Sequence, residues 1–116
     1  MRAQAVFMGE ALEYDEVSLD EAEQMHNRDA VPIVDVRNAE ERTQKRIPGS
    51  IAIPLNELEQ RRGEVPPGLV MMVCAKGARS AKAAQIMEAV AGRTDVSSIA
   101  GGTDGWEAAG KPIDRG

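Results

Sequence analysis

The sequence is poor in cysteine, histidine and aromatic residues, with one Cys, one His, one Trp, one Tyr and one Phe among 116 residues. A single cysteine excludes an internal disulfide, which fits a reducing compartment. One cysteine and one histidine also cannot assemble the usual zinc ligand sets, and we expect neither a metal nor another cofactor. With so few aromatic residues, the core must consist mainly of aliphatic side chains.

Long apolar runs and basic surfaces are missing as well. No stretch approaches the roughly 20 apolar residues that span a bilayer, and the N-terminal residues lack the apolar segment of a signal peptide. The net charge of −5, without a basic stripe interleaved with aromatic residues, argues against nucleic acid as a partner. We therefore expect a cytoplasmic protein that binds neither a membrane nor a nucleic acid.

The remaining composition, 42% hydrophobic and 28% charged, is that of a globular protein, and we expect residues 1–116 to form one domain. Strand-like and helix-like segments alternate, which predicts an α/β fold: a central, mainly parallel sheet of about five short strands, with helices on both faces. Strands are predicted at 31–36, 51–53, 69–73 and 94–99, and helices at 19–26, 38–43, 54–61, 81–91 and around Trp106. Residues 1–16 are expected to be a ragged lead-in with a short strand at 5–8, and residues 113–116 an exposed tail.

Cys74 follows the apolar run 69–73 and opens a short loop that leads into a predicted helix. Backbone N–H groups of such a loop converge on one point, and the helix dipole adds partial positive charge there. Both effects favour the thiolate, which is the reactive form of cysteine. Lys76 and Arg79 add two full positive charges, although Arg79 can also turn back to pair with a carboxylate such as Glu41. The alternative is that Cys74 is only a small buried apolar residue at a strand end.

His26 is the one residue available for a cysteine–histidine pair. It lies near the end of the first predicted helix, which begins with a capping box of Ser18 and Glu21. Polar residues follow His26, which indicates a solvated helix end rather than a catalytic position. Activation of Cys74 must then come from the loop and its cations instead of a neighbouring base.

From about Val17 to Pro112 the chain resembles a single-domain rhodanese, because four separate motifs occur in the family's order. They are Ile33–Arg37 with the sequence IVDVR, Ile47–Pro54 with IPGSIAIP, Cys74–Ser80 with CAKGARS, and Gly101–Pro112 with paired glycines, Trp106 and a final Ala-Gly-x-Pro. The third matches the Cys-x-x-Gly-x-Arg-Ser active-site loop of that family. Each motif alone is weak, but four with this spacing are specific.

The resemblance implies a rhodanese-like three-layer fold and a sulfurtransferase activity. In that family the cysteine takes a sulfane sulfur from a donor such as thiosulfate, forms a persulfide, and passes the sulfur to a thiol or cyanide. Cys74 is then the catalytic residue and the persulfide its covalent intermediate, with Asp35 and Arg37 structural residues near the site. The substrate-binding residues implied are Ala75, Lys76, Gly77, Ala78, Arg79 and Ser80. The implied partners are a small donor, thiosulfate or a low-molecular-weight persulfide, and a protein that gives or accepts sulfur.

The chain departs from the family before its Ile-Pro-Gly motif. An aromatic residue and a Gly-His pair are usual there, whereas this chain has Arg42, Lys45 and Arg46. This basic segment is either a recognition site for an acidic partner protein or an ordinary solvated segment.

Three other functions compete with sulfur transfer. Cysteine-dependent phosphatases have five residues between Cys and Arg, whereas four separate Cys74 from Arg79 here, and this tighter loop suits a single sulfur better than a phosphoryl group. A non-catalytic or sulfur-carrier binding module is the second alternative, although the cysteine is retained. An oxyanion reductase is the third, and it needs an external thiol because the chain has no second cysteine.

Overall fold

A six-stranded sheet forms the centre of the protein in the computed structural model, which describes all 116 residues. The strands are β1 Arg2–Phe7, β2 Glu10–Val17, β3 Ile33–Asp35, β4 Lys45–Arg46, β5 Ile51–Ala52, β6 Val70–Val73, β7 Val96–Ile99 and β8 Asp114–Arg115. The helices are α1 Leu19–Arg28, α2 Ala39–Gln44, α3 Leu55–Leu58, α4 Ala78–Ala91 and α5 Gly102–Ala108, with a 3-10 turn at Arg62–Glu64. The main sheet has the order β1-β2-β7-β6-β3-β5, and every pair except β1–β2 is parallel.

Helices cover both faces of the sheet, which confirms the predicted α/β architecture. One apolar core lies under α3 and α4, and a smaller one lies under α1 and α5. The strand β6 contributes to both, since Val70 and Met72 belong to the first core and Met71 and Val73 to the second. A strand buried on both faces reads as a continuous apolar run, and this is why β6 was evident from the sequence.

Two helices begin with capping boxes. At α1, Ser18 accepts from the backbone N–H of Glu21 while Glu21 accepts from that of Ser18, as predicted. Asn38 and Glu41 form the same arrangement at the start of α2. The second capping box fixes the position of Glu41, which matters for the site described below. No helix has the length and apolar character needed to cross a bilayer.

The expected ragged lead-in over residues 1–16 is wrong, because these residues form an antiparallel hairpin of β1 and β2. Leu12 and Tyr14 are buried at alternate positions of β2, on either side of the exposed Glu13. Met8 and Gly9 make the turn with φ of 50° and 81°. The main sheet therefore has six strands instead of about five.

Other boundaries also differ from the predicted ones: β3 spans Ile33–Asp35 instead of 31–36, and α3 ends at Leu58 instead of residue 61. Residues 114–116 of the C-terminal tail are exposed as expected, but Ile113 packs against the smaller core and β8 pairs antiparallel with β4. Helix α4 begins at Ala78 rather than Ala81, so that Ala78, Arg79 and Ser80 form its first turn. The loop that follows Cys74 is consequently only three residues long.

Candidate active site

Cys74 lies at the carboxyl end of β6, in the middle of the sheet, with a residue exposure of 1%. The backbone N–H of Gly77 donates a hydrogen bond to its Sγ atom at 3.0 Å. Gly77 has φ of 120°, which lies in the region that favours glycine. The loop thus curls back so that its own backbone contacts the sulfur, as the sequence predicted.

The N-terminal residues of α5 donate backbone hydrogen bonds to the active-site loop. The N–H of Thr103 donates to the carbonyl oxygen of Cys74 at 2.8 Å, and the N–H of Asp104 donates to that of Ala75 at 3.0 Å. A Cβ atom on Gly102 would lie 2.3 Å from the Cys74 carbonyl oxygen, so that only glycine permits this approach. Gly102 therefore allows α5 to position the active-site loop, a role that sequence reasoning did not assign to it.

Five N–H groups of the loop and of the first turn of α4 have no acceptor within the protein. They belong to Ala75, Lys76, Ala78, Arg79 and Ser80. The last three are the first residues of α4, where the helix cannot supply acceptors for its own N–H groups. The helix is 14 residues long, and its dipole places partial positive charge at this end. This end of α4 can therefore stabilise an anion next to Cys74.

Arg79 points away from its own helix and pairs with Glu41. Its two terminal nitrogens donate to the two carboxylate oxygens of Glu41 at 2.7 and 2.8 Å. The hydrogen bonds from Arg79 lower the pKa of Glu41 to about 2, and this effect outweighs burial, which by itself raises the pKa. This bidentate pair joins the first turn of α4 to α2 and braces the loop, whereas Lys76 is exposed and makes no ion pair.

Asp35 and Arg37 are almost completely buried and are bonded to each other. Arg37 donates to Asp35 through Nε at 3.0 Å and Nη2 at 2.8 Å, and also to the carbonyl of Lys45. Arg42 donates to the same carboxylate at 3.0 Å and to Ser50 Oγ at 2.9 Å. The group connects β3 to the turn before β5, so its role is structural.

Two of the three cations of the basic segment, Arg42 and Lys45, pair with carboxylates inside the protein. Arg42 faces Asp35, while Lys45 bonds Asp104 at 3.1 Å and Glu107 at 2.7 Å. Glu107 also pairs with Arg115 of β8. Arg46 donates to the backbone carbonyl of Arg42. Lys45 thus attaches β4 to α5, and Arg42 attaches α2 to the end of β3, whereas Arg46 has no carboxylate partner.

His26 does not lie at a solvated helix end, which corrects the prediction. Its ring is half-buried between two backbone carbonyls, with Nδ1 2.9 Å from Val31 O and Nε2 3.1 Å from Pro48 O. It therefore ties α1 to the Ile-Pro-Gly turn. Both ring nitrogens are occupied, and His26 forms no pair with Cys74.

Ser80 and Ser98 were not singled out together by the sequence, yet Ser80 contacts the sulfur and Ser98 contacts Ser80. Ser80 Oγ lies 3.3 Å from Cys74 Sγ, and Ser98 Oγ lies 2.7 Å from Ser80 Oγ. Ser98 is a polar residue at a buried position of β7. A serine in the apolar pattern of a core strand was the sequence signal that could have marked Ser98 as part of the site.

Comparison with known proteins identifies relatives of this chain. The family of rhodanese-like domains matches residues 18–109. An HTH-type transcriptional regulator of Mycobacterium tuberculosis is 34% identical over 116 aligned positions, which cover 97% of this chain and 51% of the regulator. A putative sulfur carrier protein of Bacillus subtilis is 37% identical over 75 positions, covering 63% of this chain and 40% of that protein. The chain thus spans about half, or less, of the length of these curated relatives.

A solved structure supports the same grouping. The thiosulfate sulfurtransferase of Pseudomonas aeruginosa superposes with a TM-score of 0.76 at 30% identity, over 89% of this chain and 20% of that one.

Proposed function

The chain belongs to the rhodanese-like domain family, and we propose that it is a sulfurtransferase that carries sulfur on Cys74. The Cys74 thiolate attacks the sulfane sulfur of a donor such as thiosulfate. A Cys74 persulfide forms while the S–S bond of the donor breaks, and sulfite leaves with the bonding electron pair. A nucleophilic acceptor, either a thiolate or cyanide, then attacks the outer sulfur and releases the Cys74 thiolate.

The observation that carries the proposal is the contact of Cys74 Sγ with the Gly77 N–H at 3.0 Å, in front of α4. The persulfide is an anion whose outer sulfur lies about 2 Å beyond Sγ. The N–H groups of the loop and of the first turn of α4 have no other acceptor and are available to it. Neither half-reaction needs a strong base once the thiol is ionised, which agrees with the position of His26.

The two cations of the loop divide their roles in this proposal. Arg79 is held by Glu41 through two hydrogen bonds, so its side chain braces the loop. Lys76 is exposed and has no carboxylate partner. Lys76 is therefore the residue that we assign to the sulfonate end of thiosulfate, through a charge-assisted hydrogen bond.

A sulfur-carrier role uses the same persulfide and is the second candidate. The similarity to a putative sulfur carrier protein favours it, because such a protein would hand its sulfur to a protein partner instead of a small molecule. The burial of Cys74 favours a small donor molecule. An acceptor thiol would attack the outer sulfur of the persulfide, which lies about 2 Å beyond Sγ. We place both reactions in the cytoplasm, where a lone thiol stays reduced.

Turnover with thiosulfate and cyanide tests the proposal. The protein should form thiocyanate catalytically, and Cys74→Ser should form none, because the chain has no other thiol. Ser97→Ala is the matched control, because Ser97 is half-buried and its side chain makes no hydrogen bond to the loop. This variant should retain the parent's rate of thiocyanate formation. A single equivalent of thiocyanate without turnover would indicate the carrier role, and turnover by Cys74→Ser would contradict both candidates.

A further inference from the structure

Two serine hydroxyls lie in contact behind the sulfur of Cys74. Ser80 in the first turn of α4 and Ser98 on β7 have exposures of 0% and 1%. Their Oγ atoms are 2.7 Å apart, and Ser80 Oγ is 3.3 Å from Cys74 Sγ. The three atoms form a chain that begins on β7 and ends at the reactive sulfur.

The direction of these hydrogen bonds follows from the partners available. Ser80 Oγ lies 3.1 Å from the carbonyl oxygen of Gly77, whereas Ser98 Oγ has Ser80 as its one hydrogen-bond partner. If Ser80 donated to Ser98, the proton of Ser98 would be buried without an acceptor, which is unfavourable. Ser98 is therefore the donor. The proton of Ser80 is free to point either to the Gly77 carbonyl or to the sulfur.

These two orientations correspond to the two charge states of Cys74. In the neutral state the S–H group donates to Ser80 Oγ, and Ser80 donates to the Gly77 carbonyl. In the thiolate state the thiol proton has left to solvent, and the sulfur accepts from the Gly77 N–H and from Ser80, whose hydroxyl has rotated. The Gly77 carbonyl still accepts from the N–H of Ala81 at 3.1 Å. No group of this network is left unpaired in either state.

We infer that Ser98 is a positioning residue that favours the thiolate of Cys74 by acting through Ser80. In the thiolate state Ser80 Oγ accepts a hydrogen bond from Ser98 alone, whereas in the neutral state it also accepts one from the S–H group. Loss of the Ser98 hydroxyl therefore leaves Ser80 without any donor in the thiolate state only. A hydroxyl that accepts a hydrogen bond is also a stronger donor, so Ser98 strengthens the contact from Ser80 to the sulfur.

The inference rests on the proposed function of Cys74, but its test needs no sulfur transfer. Ultraviolet absorbance of the thiolate against pH reports on Cys74 alone, since the chain has one cysteine. The one tyrosine, Tyr14, ionises at higher pH, because burial first, and then the charges of Glu16 and Cys74, raise its pKa. The charged and titratable groups on the elements around Cys74 include Lys76, Arg79, Tyr14, Glu16, Asp35 and Asp104. All six are retained in the variants below.

Replacing Ser98 should move the ionisation of Cys74 to higher pH. We expect Ser98→Ala to raise the midpoint by about half a pH unit, and Ser80→Ala to raise it by about one to two units, as for loss of a hydrogen bond to a charged group. The double variant should match Ser80→Ala, because Ser98 acts only through Ser80. Ser97→Ala, next to it on β7 but outside the network, should leave the midpoint unchanged. Circular dichroism establishes that each variant is folded.

Two results would overturn the inference. One is an unchanged midpoint in Ser98→Ala, with or without a loss of stability, which would make Ser98 a purely structural residue. The other is an equal shift from Ser98→Ala in the Ser80→Ala background, which would mean that Ser98 does not act through Ser80. Failure of the parent protein to form thiocyanate would instead contradict the proposed function and leave the midpoint result standing.

Discussion

Lys76 and Arg79 are the two cations beside Cys74, and at the residue scale their surroundings predict different consequences of removal. Lys76→Ala should raise the KM for thiosulfate about tenfold to a hundredfold, because this is the effect expected from the loss of one charge-assisted hydrogen bond. The KM for a less charged persulfide donor should change less. Arg79→Ala should reduce transfer from all donors and also lower stability, because Glu41 loses its partner. Steady-state kinetics with both donors measures the difference, and an unchanged thiosulfate KM in Lys76→Ala would refute its assignment.

The ion pair of Glu41 should make stability depend on acidic pH. Its pKa is about 2 in the folded protein against 4.5 for the free side chain. The stabilisation is therefore complete above pH 4.5 and is lost as the pH falls towards 2. Glu41→Gln should lower the free energy of unfolding at neutral pH by about 1–2 kcal/mol, a figure that allows for solvent screening of a partly exposed pair.

Urea unfolding between pH 2 and 7 measures this effect. Glu40→Gln is the matched control, because Glu40 is the preceding exposed residue of α2 and its side chain makes no contact of this kind. A Glu41→Gln variant with the parent's pH dependence would show that the pair does not stabilise the fold.

The position of Cys74 and part of its surroundings could be predicted from the sequence. Cys74 at a strand end and the Gly77 turn follow from local order, whereas the pairing of Arg79 with a carboxylate such as Glu41 was one of two alternatives. Ser98 lies 24 positions from Cys74 in the chain and approaches it, through Ser80, only because β7 pairs with β6. Such contacts depend on strand order, which composition and periodicity do not encode.

At the scale of elements, the approach of α5 to the active-site loop depends on one glycine. Gly102→Ala should destabilise the protein by about 3 kcal/mol or more, because the new Cβ would collide with the Cys74 carbonyl in addition to the strain of positive φ. Gly92 is the matched control: its φ of 63° is close to the 61° of Gly102, and a Cβ there meets no atom within 4 Å. Gly92→Ala should cost about 1 kcal/mol.

Urea unfolding and thiocyanate formation by both glycine variants measure this difference. Gly102→Ala should lose sulfur transfer as well as stability, because the carbonyl oxygens that the new Cβ would meet belong to Cys74 and Ala75 of the active-site loop. Equal losses in the two variants would mean that the close approach of α5 to the loop is unimportant.

Element prediction succeeded where the apolar pattern was strong and failed where it was weak. The apolar runs of β3 and β6 and the capping box of α1 are clear signals. In the N-terminal hairpin, no residue of β1 is fully buried, and β2 carries its two buried residues, Leu12 and Tyr14, among charged ones. The hairpin matters for the site because Phe7 and Met8 at its tip line the same groove as Arg79.

For the whole molecule, the parallel sheet explains how separate segments meet at one place. The carboxyl ends of β3, β6 and β7 lie side by side, and each is followed by residues of the candidate site or its support. The two cores on opposite faces of β6 hold Cys74 in a fixed position. A rigid strand end facing a helix N-terminus is the feature on which the proposed sulfur chemistry depends.

The mass of the intact protein after incubation with thiosulfate tests the central claim most directly. We predict a gain of one sulfur atom on the parent chain, its removal by cyanide as thiocyanate, and no gain on Cys74→Ser. A parent protein that stays unmodified under conditions where the Cys74 thiolate is present would contradict the account, as would a sulfur gain on Cys74→Ser.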